Sequence, residues 1–188
     1  MNVTARLLLI AATLLPMVAQ AETYRVDLIV FVDKSAAGEQ SRYAVLPDMR
    51  RAIEPSDSAG LSRAGITLLA PEQSSLASES QRLQNSKRYQ VITRLSWAQK
   101  NPPEDNAPSL HVRSGDVANG IAPIDGTIAL TAGHYLHLDV DMIYTLSSGD
   151  GSRSSYRLRE NRKMMRDELH HLDSPKLGIL ARVTKISG

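Results

Sequence analysis

Between Ile128 and Tyr144 the apolar residues fall on even positions: Ile128, Leu130, Ala132, then Leu136, Leu138, Val140, Met142 and Tyr144. A repeat of two places every second side chain on the same face of an extended strand, so this stretch predicts either one long strand bent near Gly133 or two strands with little between them. The run ends in "SSGDGS", Ser147 to Ser152, whose glycines and small polar residues signal a hairpin turn. With the turn centred near Asp150, Met142 faces Leu158 and Tyr144 faces Tyr156 on the core side, while Asp141 faces Arg159 on the other. An antiparallel hairpin therefore sets the frame for the second half of the chain.

The rest of the 188 residues is arranged around that frame. In "YRVDLIVFVD", Val26, Leu28 and Val30 occupy one face, and Ile29 and Phe31 make the other face apolar too. This predicts a central strand buried on both sides. Lys34 to Ala70 carries scattered Pro and Gly and reads as a long excursion with at most short helices, such as one around Asp48 to Ile53. A helix with a capped start at Ser74 or Ser75 and carrying Leu76, Ala77 and Leu83 leads into a strand from Tyr89 to Gln99. Asn101 to Pro123 holds four prolines and two glycines and reads as a surface loop. The last strand runs from about Gly178 to Ile186. Together these predict a single α+β domain, a mainly antiparallel sheet with one or two helices packed on a face.

The first 21 residues read as a secretory leader. Arg6 precedes the apolar run Leu7 to Val18, and Ala19-Gln20-Ala21 supplies small residues for cleavage after about Ala21. That run is too short and too interrupted to span a bilayer comfortably, and no second run of membrane length follows. The expected mature chain of 167 residues begins near Glu22, carries no integral membrane segment and has the periplasm as its destination. Without Arg6 it has 21 basic against 20 acidic residues, which disfavours a general nucleic-acid binder. No cysteine is present, so an exported fold must rest on its core alone.

The densest chemistry lies in "YRLRENRKMMRDELHHLDSPKLGIL", Tyr156 to Leu180. His134-x-x-His137 and His170-His171 suggest a metal, but on extended segments each pair is split between opposite faces, and neither a metal nor a cofactor is expected. Glu168 with Asp139 or Asp141 could in principle form a hydrolytic carboxylate pair, but the simpler reading is that these acids neutralise neighbouring arginines across the hairpin. No catalytic nucleophile motif and no phosphate loop is present. On a strand, Arg157, Arg159 and Lys163 share one side and Arg162 and Arg166 the other. Several guanidinium groups together can hold carboxylates or phosphates, while Asp139, Asp141, Glu160 and Asp167 could leave the cluster a paired, solvated surface. Aromatic residues make up only 4% of the chain, too few for an extended stacking platform, and Trp97 reads as a packing residue.

Several segments resemble one family. "YRVDLIVF", "RLQNSKRYQVITRLSWAQ", "DGTIALTAGHYLHLDVDM" and the tail are similar to the CsiV family of periplasmic peptidoglycan-binding proteins. Met165-Arg166, Glu168-Leu169-His170, Asp173, Pro175 and Gly178 fit its tail pattern, as do Tyr135-Leu136-His137 and Tyr89, Trp97 and Gln99 in their segments. His171, Ser174 and His134 depart from it, and Lys34 to Ala70 and Asn101 to Pro123 look free of it. The resemblance implies a non-enzymatic accessory factor of cell-wall synthesis. It would bind peptidoglycan and act with the outer-membrane lipoprotein LpoA and, through it, a class A penicillin-binding protein. Charge and motif together make Tyr135, His137, Arg157, Arg159, Arg162, Arg166, Glu168 and His170 the expected ligand-binding residues. A peptidoglycan hydrolase using Glu168 as acid/base is the alternative.

Overall fold

A computed structural model of the chain describes residues 21–36, 46–115, 121–148 and 151–187. The expected leader, apart from Ala21, and the centre of the "SSGDGS" turn at Gly149-Asp150 lie outside these residues.

Among the described residues the chain forms ten strands and two α-helices: β1 (Thr23–Asp33), β2 (Ala52–Ile53), α1 (Ser58–Arg63), β3 (Ile66–Leu68), α2 (Ala77–Gln84), β4 (Tyr89–Lys100), β5 (Ser109–Ser114), β6 (Ile124–Ala132), β7 (Leu136–Ser147), β8 (Arg153–Met164), β9 (Leu169–Asp173) and β10 (Leu177–Ser187). They build two five-stranded sheets, in the orders β3-β4-β1-β10-β9 and β2-β5-β6-β7-β8. All pairings are antiparallel except β2 with β5. The class is α+β, as the sequence predicts, but the sheet is divided in two. Tyr24, Val26, Leu28 and Val30 of β1 and Ile179, Ala181 and Val183 of β10 share one core with Leu130, Leu138, Val140 and Met142 of the other sheet. The sheets therefore pack face to face, driven by apolar burial on both inner faces.

β1 is central, with β4 on one side and β10 on the other. Its second face is buried as well: Ile29 is fully covered, and α2 lies on that side, held where Asp27 meets Ser75 and Arg182 meets Glu79. The alternating run is two strands, β6 and β7, joined by a tight turn over 133–135 with Ala132 opposite Leu136. The β7–β8 register pairs Met142 with Leu158, Tyr144 with Tyr156 and Asp141 with Arg159, as expected from the turn. Trp97 is buried, and its indole N–H donates to Gln99.

Three local expectations are corrected. No helix forms over Asp48 to Ile53; Ala52–Ile53 is a short strand beside β5, and the helix comes later, at Ser58–Arg63, where the Asp57 carboxylate caps the Gly60 N–H. The Asn101–Pro123 segment is not all loop, because Ser109–Ser114 pairs along β6 and buries Leu110 and Val112. Helix α2 starts at Ala77 rather than directly after Ser74 or Ser75, because the Ser75 hydroxyl is committed to the buried Asp27 carboxylate at 2.7 Å instead of to a helix N–H.

Candidate functional site

β8 is the edge of one sheet and β9 the edge of the other, so the turn over 165–168 carries the chain across the sandwich. Asp167 adopts φ 64° there, in the left-handed region that a short polar side chain tolerates, and its N–H donates to Val183 O. His170 Nε2 accepts the Met165 N–H at 3.0 Å, which requires that nitrogen to be unprotonated. His170 therefore shapes this turn from within. His171, its neighbour on β9, pairs with Leu180 while His170 pairs with Ala181, and successive strand residues point to opposite faces.

The crossover turn, the β6–β7 turn and the start of β1 enclose a cleft of about 600 Å³. Tyr135, Lys163, Met165, Arg166 and Glu168 line it together with Glu22 and Tyr24. The Lys163 ammonium lies 3.1 Å from the centroid of the Tyr135 ring, and the His134 ring meets the same tyrosine edge-on at 4.3 Å. The Arg166 guanidinium lies 6.0 Å from the centroid of Tyr24. An aromatic face attracts a cation without neutralising it. Neither Lys163 nor Arg166 has an ion-pair partner among the described residues.

On the opposite wall the Tyr24 hydroxyl donates to the Glu22 carboxylate, which also takes Lys185 at 2.7 Å. Those bonds, Lys185 first, hold the Glu22 carboxyl below its ordinary range. Burial, and then the bond to Glu22, push the Tyr24 phenol up. Glu22 is thus an occupied anion, whereas Glu168 has no ion-pair partner among the described residues.

The eight residues expected from the sequence do not form one site. Tyr135, Arg166 and Glu168 meet at the cleft, and His137 stands behind Tyr135 with their rings 6.5 Å apart. Arg157 and Arg159 lie on the outer face of β8. Arg157 grips Asp141 with two bonds of 2.7 and 2.6 Å, although Arg159 is the register partner and stands 3.9 Å away. Arg162 is tied to Glu160 at 2.6 Å and reaches the His171 carbonyl. Asp139 and Asp141 border a separate hollow of about 220 Å³ with Arg159, so they do not share the cleft with Glu168.

Sequence reasoning missed two features. His111 bridges Glu54 at 2.6 Å and Asp125 at 2.7 Å, tying the segment after β2 to β5 and β6. Burial opposes its charge, but the bonds to Asp125 and Glu54 prevail and its pKa is raised. A second cavity, about 430 Å³, gathers Phe31, Tyr89 and His171, with Phe31 and His171 stacked at 5.8 Å and the Arg88–Asp33 pair beside them. Gly178 makes this packing possible, since a Cβ there would lie 2.4 Å from the Phe31 ring. Only an unbroken alternation around His111 and the glycine opposite the single phenylalanine could have signalled either feature.

The family model for CsiV, described as a peptidoglycan-binding protein, matches residues 3–186, and so extends across both segments that looked free of the resemblance. No curated protein and no solved structure matches the chain. With nearly its full length covered, the chain belongs to the CsiV family of peptidoglycan-binding proteins.

Proposed function

We propose that the protein is a non-enzymatic, periplasmic peptidoglycan-binding factor that supports cell-wall synthesis by acting with the lipoprotein LpoA and, through it, a class A penicillin-binding protein. The leader directs export and is cleaved after about Ala21, and the family's description supports a place in the cell envelope. The observation that carries the binding function is the cleft, where Lys163 and Arg166 make no direct ion pair among the described residues, while Arg157 and Arg162 are engaged by Asp141 and Glu160 and Arg159 stands 3.9 Å from Asp141 on the outer face. Tyr135, Arg166 and Glu168, supported by His137 and His170, are the residues we assign to ligand contact or to shaping its site. Arg157 and Arg159 serve the outer face of the hairpin, and Arg162, on the other side of β8, joins Glu160 and the β9 edge.

The hydrolase reading would need two carboxylates addressing one bond. Glu168 shares the cleft with Glu22, and Glu22 is already engaged by Tyr24 and Lys185, an arrangement that favours holding a ligand over cleaving it. Incubation with purified sacculi, followed by sedimentation and muropeptide analysis, tests the proposal. Co-sedimentation with an unchanged muropeptide profile is expected; new products that vanish in Glu168→Ala would overturn it. Co-purification of LpoA from the envelope with the tagged protein is the expected outcome of the partner test, and its absence under mild crosslinking would remove that part of the proposal.

A further inference from the structure

The cleft combines two kinds of surface that a neutral sugar chain does not call for together. Its cations, Lys163 and Arg166, lie over the rings of Tyr135 and Tyr24; neither makes a direct ion pair among the described residues, although Arg166 is near enough to Glu22 to help hold that carboxyl down. Its apolar contribution is exposed: Tyr135 is 48% and Met165 51% accessible, unusual for large hydrophobic side chains in this chain. Peptidoglycan offers two chemically distinct parts. The glycan is uncharged apart from modification, whereas its stem peptides present free carboxylates, small alanine methyl groups and, where diaminopimelate is used, an ammonium group.

We infer that the cleft between the β6–β7 turn and the β8–β9 crossover binds the acidic stem peptide of peptidoglycan, and not its glycan backbone. This inference rests on the peptidoglycan-binding function proposed above. Lys163 and Arg166 take the peptide carboxylates as charge-assisted hydrogen bonds, which are stronger than neutral ones. Tyr135 and Met165 cover the alanine methyl groups, and Glu168 is positioned on the same wall to receive an ammonium. Leader removal after Ala21, as proposed, leaves the α-ammonium of Glu22 on this cleft as a further positive charge, since Glu22 is itself a wall residue. Both cations are solvent-exposed, but Arg166 borders the buried Tyr24, so the thermal unfolding of each variant is compared with the parent's before its binding is read.

The experiment uses the processed protein purified from the cell envelope and three probes: whole sacculi, glycan strands freed of peptide by an amidase and then amidated at the lactyl carboxylates that the cleavage exposes, and the synthetic tetrapeptide L-Ala-γ-D-Glu-meso-diaminopimelate-D-Ala. Retention on sacculi, loss on peptide-free glycan and competition by the tetrapeptide are expected. Lys163→Gln and Arg166→Gln each weaken sacculus binding by up to about fivefold, the range for an exposed charge contact, with the weakening shrinking at high salt. Arg159→Gln, on the outer face, leaves it unchanged. Retention on peptide-free glycan equal to that on sacculi, with no competition by the tetrapeptide, overturns the stem-peptide assignment while leaving peptidoglycan binding in place. Failure to bind whole sacculi overturns the underlying function, and the two failures are thereby distinguished.

Discussion

Asp27 lies beneath helix α2 on the outer face of the central strand and is 1% exposed. Its carboxylate accepts the Ser75 hydroxyl at 2.7 Å, the Ser75 N–H at 3.3 Å and the Ser96 hydroxyl at 2.6 Å, and pairs with Arg25 at 2.9 Å. Truncation in Asp27→Ala removes all four interactions and leaves the Ser96 hydroxyl and the Ser75 N–H without their acceptor. Removing one partner of a buried ion pair costs about 3–5 kcal/mol. The Arg25 side chain is 24% exposed and can recover water, which places the expected loss near the lower end, about 3 kcal/mol. For a domain of this size that loss lowers Tm by roughly 6–12 °C. Urea unfolding followed by circular dichroism measures it, and Asp27→Asn falls between parent and Asp27→Ala because the amide keeps one acceptor. The double variant with Ser75→Ala loses less than the sum of the two single losses, since both remove the same bond. A Tm within 2 °C of the parent for Asp27→Ala would refute the view that this carboxylate anchors α2 to the sheet. The pH dependence has a definite sign. Burial raises the Asp27 pKa, but the bonds from Ser96 and Ser75 and the charge of Arg25 outweigh it, so the folded value is depressed. Its stabilisation is therefore present above the unfolded value of about 3.9 and is lost as pH falls through the folded value.

His111 gives the opposite dependence: with its folded pKa raised, the clamp on Glu54 and Asp125 is fully present below about pH 6.5 and is lost as pH rises through the folded value. Thermal unfolding across that range should show a loss in the parent that is absent in His111→Gln. Gly178→Val drives a side chain into the Phe31 ring and should cost about 1–3 kcal/mol by urea titration, with a shift in the Phe31 and His171 ring resonances. Arg157→Ala, which frees Asp141, should reduce stability measured by thermal unfolding while leaving sacculus sedimentation at the parent level.

The hairpin was legible because its register follows from a two-residue repeat and one turn, and both survive without tertiary information. β1 was legible for a similar reason, since apolar residues on both faces demand cover on both. What covers each face was not, because alternation records that a face is buried and not which sheet or helix buries it. β5 escaped notice because its six residues stand between Pro108 and Gly115, with only Leu110 and Val112 to show alternation. The arginine cluster shows how far charge can be read from sequence. Side-by-side placement of Arg157, Arg159 and Lys163 on β8 follows from strand geometry, but the diagonal grip of Arg157 on Asp141 depends on side-chain reach. The cleft was half legible: Tyr135, Arg166 and Glu168 were singled out, whereas Lys163 was counted only as part of a charge run and Glu22 and Tyr24, more than a hundred residues away, had no local signal.

Backbone amide chemical-shift mapping of the isotopically labelled protein during titration with soluble, peptide-bearing muropeptides tests the central claim most directly. Saturable shifts concentrated at residues 22–24, 133–137 and 163–168, around the cleft, are the expected result. Shifts confined to the outer face around Arg157, Arg159 and Asp141, or no saturable shifts at any residue, would contradict it.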